Sequence, residues 1–200
     1  MVQINMNRTY NDDSELYECI KKIAQQDRRA FEQFYFQFAP RLGRFLTKFL
    51  KQDDLLEEAV SDVMIVVWKN AERYKPSAKV STWVFGIAYN KALKILERDR
   101  RYQHRNVSME EEAMDIEIED HERPDFLLLN SDLRNSISQA LDTLSSDHRA
   151  VIELTFFEGL SYPEIAEIMD CPTNTVKTRA YHAKKQLMKY FAEYDLGMDA

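Results

Sequence analysis

The segment from Thr173 to Tyr190 holds five lysines or arginines and no acidic residue. Cations at that density on one element neutralise phosphates, and the amide, hydroxyl and ring groups among them can address base edges. At about 100° per residue, Val176, Ala180, Ala183, Leu187 and Phe191 form an apolar stripe, while Asn174, Thr178, Tyr181, Lys185 and Lys189 fall opposite. Lys177, Arg179, His182 and Lys184 flank them. A helix in the major groove reads bases near its N-terminus and grips phosphates farther along. Asn174, Lys177, Thr178, Tyr181 and His182 are therefore candidates for base edges or nearby sugar-phosphate, and Arg179, Lys184 and Lys185 for phosphates. An ordinary helix with a solvated basic face has the same composition, so the case for DNA depends on what precedes this helix.

A second constellation begins at Trp83. Counted along a helix, Asn90, Lys94 and Arg101 return to nearly the angle of Trp83, with Lys91 and Arg98 beside them. The other side, Val84, Ile87, Ala88, Ala92, Ile95 and Leu96, is apolar. Rings interleaved with cations suit an unpaired strand, whose bases stack on aromatics while charges follow its backbone. Tyr74, Lys75 and Lys79, just before the helix, extend the same composition. A lone tryptophan on a helix is more often core than platform. Position and neighbours assign Trp83 to function and Trp68 to structure.

Nothing in the chain supports catalysis. His104, His121, His148 and His182 share no ligand spacing, Cys19 and Cys171 form no CxxC, and neither a P-loop nor a dinucleotide fingerprint occurs. No cofactor and no metal site is expected.

Helices must position both constellations. Apolar residues recur at spacings of three and four with no alternating β pattern, so the fold class is all-α. Leu56, Ala59, Val60, Val63, Met64 and Val67 make one stripe, with Glu57, Glu58, Ser61 and Asp62 opposite. Asn70 to Val80, with Pro76, reads as a loop, followed by a helix from about Ser81 into the basic tract Arg98 to Arg101. A later helix starts near Ser145 or Ser146 and carries Val151, Ile152 and Phe156; Gly159 is placed to end it. Ser161-Tyr162-Pro163-Glu164 is a capping box opening a short helix with Ile165, Ala166, Ile168 and Met169. After Asp170-Cys171-Pro172 the basic helix runs to about Phe191. Two helices joined by so brief a turn, the second basic, have the form of a helix-turn-helix.

Two hundred residues, 44% hydrophobic and 30% charged with 4 Gly and 5 Pro, describe a soluble globular chain of one domain or two small ones. No apolar run of about 18 to 20 residues exists, and Met1 to Tyr10 lacks the order of a secretory signal. The expectation is a cytoplasmic protein without membrane insertion. Its net charge of -7 argues against nucleic acid only as an average. Residues 21–105 hold 18 basic and 10 acidic residues, whereas residues 106–125 hold nine acidic residues against Arg123 alone. That acidic stretch cannot bury enough apolar surface to offset its ordering entropy and self-repulsion, and it reads as a flexible linker. The expected organisation is an acidic extension (1–20), a helical bundle (21–105), the linker (106–130), a helix-turn-helix domain (131–192) and a tail (193–200).

Leu56 to Arg101 (LEEAVSDVMIVVWKNAERYKPSAKVSTWVFGIAYNKALKILERDRR) together with Leu160 to Leu187 (LSYPEIAEIMDCPTNTVKTRAYHAKKQL) resembles the extracytoplasmic-function sigma factors, the smallest members of the bacterial sigma-70 family. The resemblance runs from about Arg29 to Phe191 and lies in the combination: VW, then STW leading into a basic helix, then LSYxEIAE and TVKxR. It implies a region 2-like bundle that docks on the clamp helices of core RNA polymerase through Glu57, Glu58, Ser61, Asp62 and Ile65. Tyr74, Lys75, Lys79, Trp83, Asn90, Lys91, Lys94, Arg98 and Arg101 would then open and hold the minus-10 element. A region 4-like domain would read the minus-35 duplex with Thr173 to Tyr190 and bind the polymerase flap. Promoter DNA, polymerase and an anti-sigma factor are the implied partners. Five positions depart from the family pattern. Ser61-Asp62 stands where Gln-Glu is usual, His182 where Arg is common, Asp170 where the turn usually has Gly, and Asn174 in place of another common residue, although Asp and Asn tolerate left-handed backbone better than most residues. A stand-alone helix-turn-helix regulator is the alternative; it leaves the Trp83 surface and the Leu56 to Trp68 helix without a role. A nuclease would need a carboxylate cluster that only the linker supplies.

Overall fold

The computed structural model describes residues 13–47, 49–50, 52–105 and 131–198, with side chains over 13–47, 49–50, 52–98 and 136–192. The acidic linker and residues 1–12 lie outside the described residues, as does the side chain of Arg101. Every regular element within them is helical. The N-terminal set is α1 (Asp13–Ala24), α2 (Arg28–Leu46), α3 (Asp53–Asn70), a 3-10 turn (Ala71–Arg73) and α4 (Val80–Arg105). The C-terminal set is α5 (Ser131–Asp142), α6 (Ser146–Ile152), a π-helical turn (Glu153–Phe157), α7 (Tyr162–Ile168) and α8 (Thr173–Met198).

Sequence periodicity accounts for the packing. Helix α2 starts where the Asp27 carboxylate accepts hydrogen bonds from the amides of Arg29 (2.9 Å) and Ala30 (3.2 Å), filling orphan donors of the first turn. Its Phe34, Phe38, Leu42 and Phe45, three and four residues apart, are all buried. Phe34 and Phe38 stack at 4.3 Å between centroids, and Phe45 meets the edge of Phe85 on α4 at 5.4 Å. Each such side chain contributes about 1.5–3 kcal/mol when fully buried. One apolar core runs from Leu16 of α1 through α2, α3 and α4 and on into α6, α7 and α8, ending at Ala180. Helix α4 therefore touches α2 and α3 on one side and α7 on another. A smaller cluster, Leu141, Leu144, Ile152 and Ala183, ties α5 to α8.

Four expectations shift. Charge set residues 1–20 apart, yet residues 13–20 form most of α1, with Leu16, Cys19 and Ile20 buried; apolar spacing outweighs acidity there. Helix α4 begins one residue early because the Asp13 carboxylate accepts the Val80 amide (3.3 Å), and it continues to Arg105. Helix α8 passes Phe191 to Met198, since no strong breaker precedes Gly197. The fourth concerns Phe156. The π turn adds a residue to the helical repeat after Ile152, so Phe156 rotates out and is 60% exposed.

Two left-handed residues turn the chain on either side of α7. Gly159 has φ +66° and Asp170 has φ +46°. A Cβ at Gly159 would meet nothing within 4 Å, so backbone conformation alone requires glycine. Gly159→Ala should lower stability by about 1 kcal/mol, whereas Asp170→Gly should leave it equal or higher. Urea unfolding of both variants checks this; equal losses would assign the turns to packing.

Candidate nucleic-acid interface

Helix α7 is held at its start by the Ser161 and Glu164 capping box, in which the Glu164 carboxylate accepts from the Ser161 amide (2.7 Å) and hydroxyl (2.6 Å). The chain then reverses at Asp170, where the Cys171 amide donates to the Ala166 carbonyl (3.1 Å), and α8 departs. Val176, Ala180 and Ala183 are buried and Leu187 and Phe191 partly so, as the apolar stripe requires. This fixes the opposite face in solvent: Asn174, Lys177, Thr178, Tyr181, Lys184 and Lys185 are exposed. The Thr178 hydroxyl donates back to the Asn174 carbonyl (3.0 Å), leaving its oxygen to accept. Lys184 lies over the Phe156 ring at 5.3 Å. His182, also exposed, stands 6.3 Å from the His148 ring, so it faces α6 rather than the centre of the outward strip.

Arg179 differs from its sequence assignment. Its guanidinium pairs with Asp147 of α6 at 2.5 Å and lies 3.8 Å from Cys171 Sγ. Asp147 also accepts from the Tyr89 hydroxyl of α4 (3.5 Å). The Tyr89 phenol is pushed up to about 12, first by burial and then by the Asp147 charge. Arg179 is thus a strut joining α8, α6 and α4, with Asp147 already on the guanidinium that the sequence assigns to a phosphate.

The second constellation runs along α4. Trp83 is half-buried, tilted against Tyr74 at 5.2 Å, and Tyr74 in turn meets Tyr17 at 6.2 Å. The Tyr74 hydroxyl donates to the Ala78 carbonyl (2.5 Å), fixing the loop before the helix. Burial, then Asp13, pushes this phenol up to about 12. Lys75, Asn90, Lys94 and Arg98 are exposed, with the Asn90 amide turned back to the Gly86 carbonyl (2.9 Å). Two cations are already engaged: Lys91 pairs with Asp62 of α3, and Lys79 with Glu164 of α7 at 2.9 Å. Burial pushes the Glu164 carboxyl up, but hydrogen bonds from Ser161 and Lys79 outweigh it and leave it below its ordinary value.

On α3, Glu57, Glu58 and Ser61 are exposed together with Ile65, which is 47% exposed, an acidic strip with an apolar residue at its C-terminal end. Asp62 lies at its edge, tied to Lys91. Trp68 is packed edge-on against Phe31 at 5.0 Å, as a structural residue. No group of three metal-ligating side chains occurs among the described residues, and both cysteines are free thiols. No described helix is long and apolar enough to cross a membrane. No local pattern marks Arg41, Arg44 and Glu158: the Arg41 guanidinium reaches the Glu158 carboxylate across 117 residues of chain. Only paired variation among relatives would have exposed such a contact.

Residues 34–102, which hold the α3 strip and most of the α4 face, match the family model of Sigma-70 region 2. Residues 134–187, which hold α7 and most of α8, match that of Sigma-70, region 4. The ECF RNA polymerase sigma-E factor of Haemophilus influenzae is 27% identical over 172 residues, 84% of this chain and 90% of that one. The ECF RNA polymerase sigma factor SigK of Mycolicibacterium vanbaalenii is 29% identical over 177 residues, 88% of this chain and 89% of its own. Among solved structures, the sigma factor RpoE from Bartonella quintana, crystallised with the anti-sigma factor NepR, shares the fold with a TM-score of 0.65 at 23% identity, over 81% of this chain and 96% of that one. A stand-alone helix-turn-helix regulator has no use for a region 2. The chain belongs to the sigma-70 family of transcription initiation factors, in its extracytoplasmic-function branch.

Proposed function

We propose that this chain brings core RNA polymerase to a restricted set of promoters, using residues 21–105 for the polymerase clamp and the minus-10 element and residues 131–192 for the minus-35 duplex. One observation carries the reading: the two cationic faces lie on different helices, α4 and α8, each inside its own family match. Asn174, Lys177, Thr178, Tyr181 and His182 address bases and nearby backbone; Lys184 and Lys185 hold phosphates, joined by Arg179 once Asp147 releases it. Tyr74, Lys75, Lys79, Trp83, Asn90, Lys91, Lys94, Arg98 and Arg101 serve the unpaired strand. Glu57, Glu58, Ser61, Asp62 and Ile65 dock on the clamp, and the C-terminal helices engage the flap.

Polymerase performs the chemistry. This chain contributes binding energy in the cytoplasm, as an initiation factor and not an enzyme. An anti-sigma factor, as in the Bartonella quintana complex, would hold it inactive.

Run-off transcription with purified core polymerase and a candidate promoter tests the whole reading. Added protein should permit initiation; a shift in DNA binding that never yields transcript would leave only a helix-turn-helix regulator. Lys185→Ala should weaken duplex binding across sequences and reduce the slope of log affinity against log salt by about 0.9, the value for one phosphate. An unchanged slope would move Lys185 off the interface. Trp83→Ala should spare duplex binding and impair opening, followed by a fluorescent base analogue in the minus-10 element. Equal loss of both would make Trp83 a core residue.

A further inference from the structure

Glu158 follows the π-helical turn, ahead of α7, and its side chain is only 4% exposed, with two arginines of α2 against it. Arg41 donates from Nε (2.8 Å) and from Nη2 to one carboxylate oxygen, and Arg44 Nη2 lies 3.8 Å from the other. The Arg41 guanidinium is held in place from below, 4.5 Å from the buried Phe38 ring and 5.6 Å from that of Phe85. Six residues after Glu158, Glu164 takes the Lys79 ammonium at 2.9 Å. Three cations of the N-terminal helices thus hold two carboxylates of the C-terminal helices. The planar fork of arginine fits a carboxylate and a phosphate alike, in the same bidentate geometry. The set borders the α4 surface at Lys79, which stands just before that helix; Phe85, beneath Arg41, is buried on the side of α4 away from Trp83.

We propose that Arg41, Arg44 and Lys79 form a phosphate site for the backbone of the unpaired DNA strand, occupied in the closed arrangement by Glu158 and Glu164 as stand-ins for phosphates. The identity of the strand rests on the initiation-factor reading. Promoter geometry requires the site to be vacated. Elements centred near minus-10 and minus-35 lie about 25 base pairs apart, about 85 Å along B-form DNA. A compact globule of 200 residues has a radius of gyration of about 16 Å. Helix α7 cannot remain against α4 while α8 and the Trp83 face engage both elements. Separation withdraws Glu158 and Glu164 together and uncovers three cations, of which Lys79 borders the Trp83 face. If the arginines were only a latch between the helical sets, losing them and losing Glu158 would act in the same direction. If they bind phosphate, the two losses act in opposite directions.

The full-length chain, titrated with a fluorescent oligothymidylate at several salt concentrations, separates these cases. Glu158→Gln should bind the oligonucleotide more tightly than the parent. The double variant Arg41→Gln with Arg44→Gln should bind more weakly, with its salt slope reduced by about 1.4, the single-strand value for two phosphates. Arg41→Lys with Arg44→Lys should keep the slope. Lys79→Gln, at a half-exposed position that does not disturb the core, should lower the slope by about 0.7. Tighter binding by the arginine-to-glutamine double variant, or unchanged slopes in it and in Lys79→Gln, would overturn the proposal. Run-off transcription by the parent is scored separately, so failure of the phosphate site and failure of the initiation-factor reading give different results.

Discussion

Helix α4 has to satisfy four neighbouring helices at once, and the rest of the structure is arranged around that demand. Val84, Phe85, Ala88, Tyr89 and Ala92 give it an apolar surface wider than one helix can cover. Helices α2 and α3 take one part, and α7, the first helix of the helix-turn-helix, takes another. What is left for solvent is the strip from Lys75 to Arg98, in which Lys75, Lys94 and Arg98 supply the positive charge. The outward cationic face of α4 is therefore the remainder of a packing problem. Its position is as rigid as the core beneath it.

Charge follows the same logic at a larger scale. The balance of -7 describes no part of the molecule that touches DNA. Cations that the helical wheel places on outward faces are partly neutralised in the folded chain, Lys91 by Asp62, Lys79 by Glu164 and Arg179 by Asp147. Exposed pairs of this kind contribute little to stability, about 0–1 kcal/mol each. Their larger effect is on the field: acidic partners cap the cations until phosphate competes for them.

Local signals carried most of the fold. Spacings of three and four found the buried stripes of α3, α4 and α8, and the Ser161 to Glu164 box and Gly159 marked real boundaries, because caps and left-handed turns are decided within a few residues. Asp170, read as a tolerable replacement for glycine, does adopt φ +46°. Contacts decided elsewhere in the chain were not legible. The wheel put Arg179 on a flank, but whether a flank meets water or a carboxylate depends on where α6 lies. Phe156 was counted as a continuation of the helix begun near Ser145, and one extra residue in a π turn sent it outward. Acidity set Asp13 to Ile20 apart, and yet Asp13 caps α4 and Ile20 joins the core, since a net charge says nothing about the spacing of the apolar residues within it.

The closed arrangement need not be costly to leave. Breaking a buried ion pair by removing one partner costs several kcal/mol, because the survivor is left without compensation. Exchanging the partner is a different event. If a phosphate oxygen replaces the Glu158 carboxylate at Arg41, one charge-assisted, two-point hydrogen bond takes the place of another of similar geometry. Glu158, freed at the same moment, regains water. The barrier then lies in the apolar contact between α4 and α7, which DNA cannot replace and which shields no charge. On the proposed phosphate site, hydrophobic area holds the helix-turn-helix against α4, and three cations set the phosphate dependence of its release. Those two quantities respond to different mutations, so the stability of the closed form and the salt dependence of strand binding can vary independently.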